Sequence, residues 1–261
     1  MSYTWEQLDA LLEDSGGAAY IAKPDVFGRN VENFLEAFRQ FYPNTQLGYS
    51  YKTNYLPTFC VEAERRGLYA EVVSGMEYEM ALALGVAPGR IIFNGPAKTL
   101  EEVDKALVAG ARLNVDSLHE VEQVREVVTH HPELPVAVGL RCNLDLQWKG
   151  RTSRFGLSDA NGDLQLASKR LRELPNVTIN GLHCHFSFDR SAASYRDRAC
   201  RMLQLARQLF PDRPPQYLDL GGGFFGPMPP SLRAQFSVEL PGYMDYAEAI
   251  APLFLDEFGA Q

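Results

Sequence analysis

Cysteine is scarce in this chain: Cys60, Cys142, Cys184 and Cys200 are the only four in 261 residues, and no two make a CxxC pair. Scattered single cysteines give neither a disulfide framework nor a zinc cluster, so reduced, buried thiols are expected. Positive charge is also short. Twenty-five Lys and Arg stand against 33 Asp and Glu, for a net charge of -8. That balance argues against a general nucleic-acid binder, because phosphate backbones require a basic surface. No apolar run approaches the ~20 residues of a membrane span. The opening Met1-Ser2-Tyr3-Thr4-Trp5-Glu6-Gln7 lacks the basic and apolar regions of a signal peptide, so a cytoplasmic location away from membranes is the expectation. Linkers, low-complexity runs and repeats are absent too.

What is present suits a soluble α/β enzyme. The composition, 46% hydrophobic and 22% charged, is ordinary for a globular protein, and one barrel-sized domain would use nearly all of the chain. Residues 4–15 predict a short amphipathic helix and residues 18–22 a strand. Asp25 is placed to cap a helix running through Phe41, with Phe27, Val31, Phe34, Leu35 and Phe38 on its buried face. A regular alternation then begins. Strands are predicted near 46–51, 70–73, 90–93, 111–115, 136–142, 178–185 and 216–220. Helices are predicted at 57–66, 75–84, 99–109, 117–130, 159–172, 191–210 and 242–258. Strand alternating with helix means a parallel sheet with right-handed crossovers, and short apolar strands mean that both its faces are covered. The polar stretch 143–158 follows a strand, where active-site loops lie. A (β/α)8 TIM-type barrel needs eight strands, and this count falls one short. Either the segment 18–22 closes the sheet or the fold extends beyond this sequence.

Several residues stand where a barrel puts its chemistry. Lys52 ends the strand-like Gly48-Tyr49-Ser50-Tyr51, sharing a face with Ser50 and Gly48. A lysine at that mouth either is solvated or forms a Schiff base with a carbonyl. Gly221-Gly222-Gly223 directly follows Tyr217-Leu218-Asp219-Leu220. It is either a flexible turn or an anion cup made of backbone N–H groups; it is neither a Walker loop nor a dinucleotide fingerprint. His183 and His185 lie two apart on a predicted strand and so face the same way. They are either hydrogen-bonded core histidines or a flat ring near the mouth, with no third ligand at a metal spacing. Arg141 ends Val136-Ala137-Val138-Gly139-Leu140 and can hold a phenolate or carboxylate. Arg154 is a weaker candidate of the same kind. Asn94-Gly95-Pro96-Ala97-Lys98 either shapes the rim or is a turn with a surface lysine, and Ser74 is expected to be an N-cap.

Taken in order, these stretches resemble the barrel of fold-type III pyridoxal-phosphate enzymes, the alanine racemase-like kind found in diaminopimelate, ornithine and arginine decarboxylases. The stretches that carry the resemblance are Tyr49-Ser50-Tyr51-Lys52-Thr53-Asn54, Glu71-Val72-Val73-Ser74-Gly75-Met76-Glu77, Ile91-Ile92-Phe93-Asn94-Gly95-Pro96-Ala97-Lys98, Asn114-Val115-Asp116-Ser117, Leu140-Arg141-Cys142-Asn143, Ser153-Arg154-Phe155-Gly156, Gly181-Leu182-His183-Cys184-His185 and Leu218-Asp219-Leu220-Gly221-Gly222-Gly223-Phe224. The resemblance implies pyridoxal 5'-phosphate as cofactor, held as a Schiff base by Lys52, which later acts in proton transfer. It implies His185 stacked on the pyridine, Arg141 near the phenolic side, and Gly221, Gly222 and Gly223 around the phosphate. The reaction implied is decarboxylation of a diaminopimelate-, ornithine- or lysine-like amino acid. A racemase or epimerase, or a non-catalytic fragment that binds pyridoxal phosphate or a partner, are the alternatives.

The departures are as specific. Relatives usually follow the second histidine with Gly-Ser, whereas Phe186-Ser187-Phe188 stands here, so Ser187 is expected to serve one place early. The loop 144–153 is shorter than is typical of diaminopimelate decarboxylases. A last strand with a Glu-Pro-Gly-Arg motif, and the β-domain after it, are expected in the family and are not in this sequence. The expected organisation is therefore an N-terminal segment, 1–24, and a cofactor-binding barrel domain, 25–261, incomplete at its C-terminal end. A homodimer of the complete enzyme, or a second polypeptide, would supply the remainder.

Overall fold

Period-two alternation on short strands builds this fold. The computed structural model describes residues 3–144, 146–148 and 151–260. Its sheet contains β1 (Gly48–Ser50), β2 (Tyr69–Val72), β3 (Ile91–Phe93), β4 (Arg112–Val115) and β5 (Val136–Asn143). Next in the chain come β6 (Gln147–Trp148) and β7 (Arg151–Thr152), an antiparallel hairpin, and β8 (Leu157–Ser158), which pairs with the end of β5. The strands β9 (Val177–His185) and β10 (Tyr217–Gly221) complete the set. The main sheet runs β1-β2-β3-β4-β5-β9-β10, parallel throughout.

The helices are α1 (Trp5–Asp14), α2 (Pro24–Arg39), α3 (Pro57–Arg65), α4 (Gly75–Ala83), α5 (Leu100–Ala109), α6 (Leu118–His130), α7 (Asp163–Arg172), α8 (Ala192–Leu209), α9 (Pro230–Arg233) and α10 (Tyr243–Phe258). Several of them start where a side-chain oxygen accepts an otherwise unpaired backbone N–H group. Ser74, Ser117 and Ser191 cap α4, α6 and α8, and Thr99 with Glu102 forms a capping box on α5.

Ala70, Val72, Ile91, Phe93, Leu113, Val115, Val138, Leu140, Leu182 and Cys184 are buried in one core cluster, which lies between the strands and their covering helices. The alternate residues Ser50, Glu71, Ile92, Arg112, His183, His185 and Asp219 line a cleft of about 1350 Å³ on the inner face. One alternation therefore makes the core and the site together. Gly139 and Gly181 belong to the inner set. A Cβ on either would sit about 2 Å from the Tyr217 side chain, so their bareness admits that ring across the barrel floor.

Two expectations are corrected. Residues 18–22 form no strand and Tyr20 is fully exposed; the segment pairs with neither open edge of the sheet. Asp25 does not cap α2. Lys23 occupies the N-cap position, Pro24 starts the helix, and the Asp25 carboxylate bonds Arg29 one turn on.

The sheet curls but does not close: β1 and β10 each have one strand neighbour among the described residues. The helical layer continues across that opening. α10 packs against both α8 and α2, with Tyr243 5.3 Å from Phe34 and Phe254 6.1 Å from Tyr42, centroid to centroid.

Candidate active site

Lys52 lies one turn beyond β1, in a 3-10 turn over Tyr51–Thr53, so the strand ends earlier than its sequence suggests. Its side chain is 37% exposed, and its Nζ stands 4.0 Å from Glu71 Oε1. Glu71 is fixed by two further contacts. Ser50 donates its hydroxyl to Glu71 Oε2, and Asn94 donates Nδ2–H to Glu71 Oε1 at 3.1 Å. Asn94 Oδ1 accepts from Asn114 Nδ2 at 2.8 Å, and Asn114 Oδ1 accepts from Tyr217 Oη at 2.8 Å. This hydrogen-bonded chain joins β10, β4, β3, β2 and β1 below the lysine, so groups from both open edges meet in one network.

His183 and His185 project into the same cleft. Burial, then the Arg141 charge, holds the His183 imidazole well below its usual value. Burial, then the Lys52 charge, lowers His185 to about 4. Both rings are therefore neutral near pH 7. His183 Nε2 lies 4.0 Å from Asp219 Oδ2. The Asp219 carboxyl is pushed up to about 7, chiefly by burial and secondarily by the Glu71 charge.

Gly221, Gly222 and Gly223 form a cradle that no larger residue can occupy. A Cβ at Gly221 would lie 2.8 Å from Cys184 O, 2.9 Å from His183 Nε2 and 3.0 Å from His185 Nδ1. At Gly222, whose φ is +130°, it would lie 2.6 Å from Tyr195 Oη. Ser187 is exposed beside this turn, and the cleft reaches both.

Arg141 is buried and ion-paired through Nη1 with Asp116, whose other oxygen accepts the Gly156 N–H at 3.2 Å. Its guanidinium is thus fixed at the rim, lining a side pocket of about 540 Å³ with Lys52, His185 and Ser187. Arg154 is exposed at that rim, its Cζ 5.1 Å from the Phe155 ring centre. Lys98 is no surface lysine: its side chain is wholly buried, and its Nζ pairs with Glu120 at 2.9 Å and donates to Gly95 O and Asn114 O. Ser74 is an N-cap, as expected. The hairpin β6–β7 and β8 occupy much of 143–158, with residues 145, 149 and 150 outside the described ones. Among the described residues no group of three or more His, Cys, Asp or Glu is placed to hold a metal.

An amine, neutral imidazoles and a bare glycine cradle at one end of a parallel sheet narrow the chemistry sharply, and comparison decides the family. Residues 28–250 match the family described as pyridoxal-dependent decarboxylase, pyridoxal binding domain. The chain belongs to this family. It is 28% identical over 206 residues to the diaminopimelate decarboxylase of Aquifex aeolicus, covering 74% of this chain and 48% of that protein. To the diaminopimelate decarboxylase of Actinosynnema pretiosum it is 32% identical over 204 residues, covering 74% and 45%. The crystal structure of the M. jannaschii diaminopimelate decarboxylase superposes with a TM-score of 0.81 at 25% identity, over 95% of this chain and 59% of that one. The chain thus spans about half the length of the curated relatives it matches.

The cofactor is pyridoxal 5'-phosphate, and the residues present fit it: an amine for the aldehyde, uncharged rings for a π face, and a cradle without side chains for a phosphate. Glu71, Asn114, Tyr217 and Asp219 were not among the site residues expected from sequence, and Asn94 was read there only as part of a turn that shapes the rim. Their signal was a polar residue at every second position of otherwise apolar strands.

Proposed function

We propose that residues 25–261 are a pyridoxal 5'-phosphate-binding barrel domain, with 1–24 as an N-terminal segment, serving decarboxylation of a diaminopimelate-, ornithine- or lysine-like amino acid. The observation that carries this reading is the convergence of Lys52, His185 and Gly221–Gly223 on one cleft. When bound, the cofactor supplies an electron sink for the bond broken at the substrate's Cα. Lys52 Nζ would hold the cofactor's aldehyde carbon and, once the substrate amine has displaced it, would be free to move a proton at the substrate's Cα. Glu71 orients the Lys52 amine, and Ser50 and Asn94 orient Glu71. His185 offers an uncharged face against the ring. Arg141, clamped by Asp116, would offer positive charge to the phenolic side of the ring. Gly221, Gly222 and Gly223 would present backbone to the phosphate, with the Ser187 hydroxyl lining the same cleft.

Cofactor binding belongs to this chain. Turnover belongs to an assembly in which the opening between β1 and β10 is covered, as a homodimer of the complete enzyme or with a second polypeptide. The test is titration with pyridoxal phosphate, followed by borohydride reduction and mass mapping, with Lys52→Ala in parallel. An adduct on Lys52 that the variant loses supports the reading; equal labelling of several lysines, or none at Lys52, refutes it. Assays of CO2 release from candidate amino acids then address the reaction.

A further inference from the structure

Two arginines beside the glycine cradle are unused by that reading. Arg198 is fully buried. It donates to the carbonyls of Phe186 at 2.9 Å, Asp189 at 2.8 Å and Ser194 at 3.1 Å, and reaches Gly221 O at 3.4 Å. Its Cζ lies 3.7 Å from the centre of the Tyr195 ring. Every one of these acceptors is neutral, and no carboxylate among the described residues pairs with it. A guanidinium stays charged, and a buried charge without a counter-charge is costly. The space next to it is the cradle: a Cβ at Gly222 would lie 3.1 Å from Arg198 Nη1.

Arg190 stands on the opposite, open side. Its guanidinium rests against Gly223, where a Cβ would meet Cζ at 3.1 Å and Nε and Nη1 at 3.3 Å. The side chain is exposed and pairs with no carboxylate among the described residues, while the backbone beneath it is fixed. Tyr246 Oη donates to Arg190 O at 2.6 Å, and Tyr246 is itself fully buried. The next residue, Ser191, donates its N–H to Asp189 Oδ1 at 2.9 Å. An immobilised backbone carries a cation with five donors, of which no carboxylate takes any, at the lip of an anion-shaped cradle.

We propose that Arg190 is the charged side-chain ligand of the cofactor phosphate, closing the glycine cradle from its open side beside the Ser187 hydroxyl, and that Arg198 is the buried cation that holds the two loops of the cradle in register. This rests on the cofactor reading above. The discriminating experiment compares pyridoxal phosphate with pyridoxal, which lacks the phosphate, by borohydride-trapped adduct at Lys52 across a concentration series. It uses the wild-type chain, Arg190→Gln and Arg190→Lys. The expected result is that Arg190→Gln weakens pyridoxal phosphate roughly ten- to a hundredfold, the range of a lost charge-assisted hydrogen bond, and leaves pyridoxal unchanged. Arg190→Lys keeps most of the preference. An equal loss for both aldehydes, or no loss for either, overturns the assignment alone. A wild-type chain that labels at Lys52 with neither aldehyde overturns the cofactor reading and this assignment with it.

Discussion

Burial and the neighbouring Lys52 charge lower the His185 imidazole to about 4, whereas an unfolded histidine titrates near 6.5. Between those values the unfolded chain binds more protons. Stability from this ring is complete above about pH 6.5 and is lost as pH falls toward 4. His183 acts in the same direction. Asp219, raised to about 7 by burial and Glu71, acts in the opposite one: it is protonated more readily when folded, so its contribution is lost as pH rises through 7. His185→Gln removes one of the two histidine contributions. The stability lost between pH 7.5 and pH 5, followed by urea denaturation, should shrink by roughly 1–2 kcal/mol in the variant. An unchanged loss would mean that this ring titrates ordinarily when folded. Tyr217 gives a second test at this scale. Tyr217→Phe strands Asn114 Oδ1 in the barrel floor and should cost about 1–3 kcal/mol; a neutral result would show that the chain of bonds from Tyr217 to Ser50 carries no stability. Lys52, His185 and the glycines were legible in the sequence as cleft-lining candidates because each stands at or just beyond a strand end. Arg190 and Arg198 were not, because arginines spaced along a loop and helix look solvated until the fold buries Arg198 beneath the Gly221 turn and sets the exposed Arg190 against Gly223.

The elements were legible wherever local chemistry decided them. Ser74, Thr99 and Ser117 mark helix starts through their own side chains, and the alternations through 112–115 and 136–143 mark strands that pair. The segment 18–22 has the composition of a strand but pairs with neither open edge, an outcome that depends on topology rather than on its residues. Lys98 likewise follows a turn and reads as exposed. Its burial comes from α6, whose first turn brings Glu120 beneath the β3–α5 connection. There Glu120 Oε2 also accepts the Asp116 N–H at 2.8 Å, and Lys98 O accepts from Gln123 at 3.0 Å. This pair joins two βα units in a dry setting, where removing one partner leaves the other charge uncompensated. Glu120→Gln should therefore lower stability by about 3–5 kcal/mol, and Lys98→Met with Glu120→Leu should cost clearly less than the two single changes summed. Additive losses in urea denaturation would show that the two groups are not coupled.

At the scale of the molecule, strands and helices disagree about closure. The strand count already fell one short in the sequence, but nothing in the sequence shows that α10 bridges α8 and α2 across the opening. All five residues of β10 are only half-buried, whereas seven of the eight residues in β5 are buried. Local stability should follow that difference, since edges with few buried contacts open most easily. Hydrogen exchange read by mass spectrometry should find β1 and β10 exchanging well ahead of β4 and β5 in the protein without added cofactor. On the proposed reading, pyridoxal phosphate takes groups from both open edges, Lys52 after β1 and the glycines after β10, so it should act as a clasp. A ligand at a hundred times its dissociation constant adds about 2.7 kcal/mol to the folded state, enough to slow exchange through openings that release it by up to roughly a hundredfold. That slowing should concentrate in 48–53, 183–190 and 217–223 and leave α1 untouched. Protection confined to the β10 side would mean that the cofactor does not bridge the opening, and that Lys52 is anchored to the sheet only through Glu71.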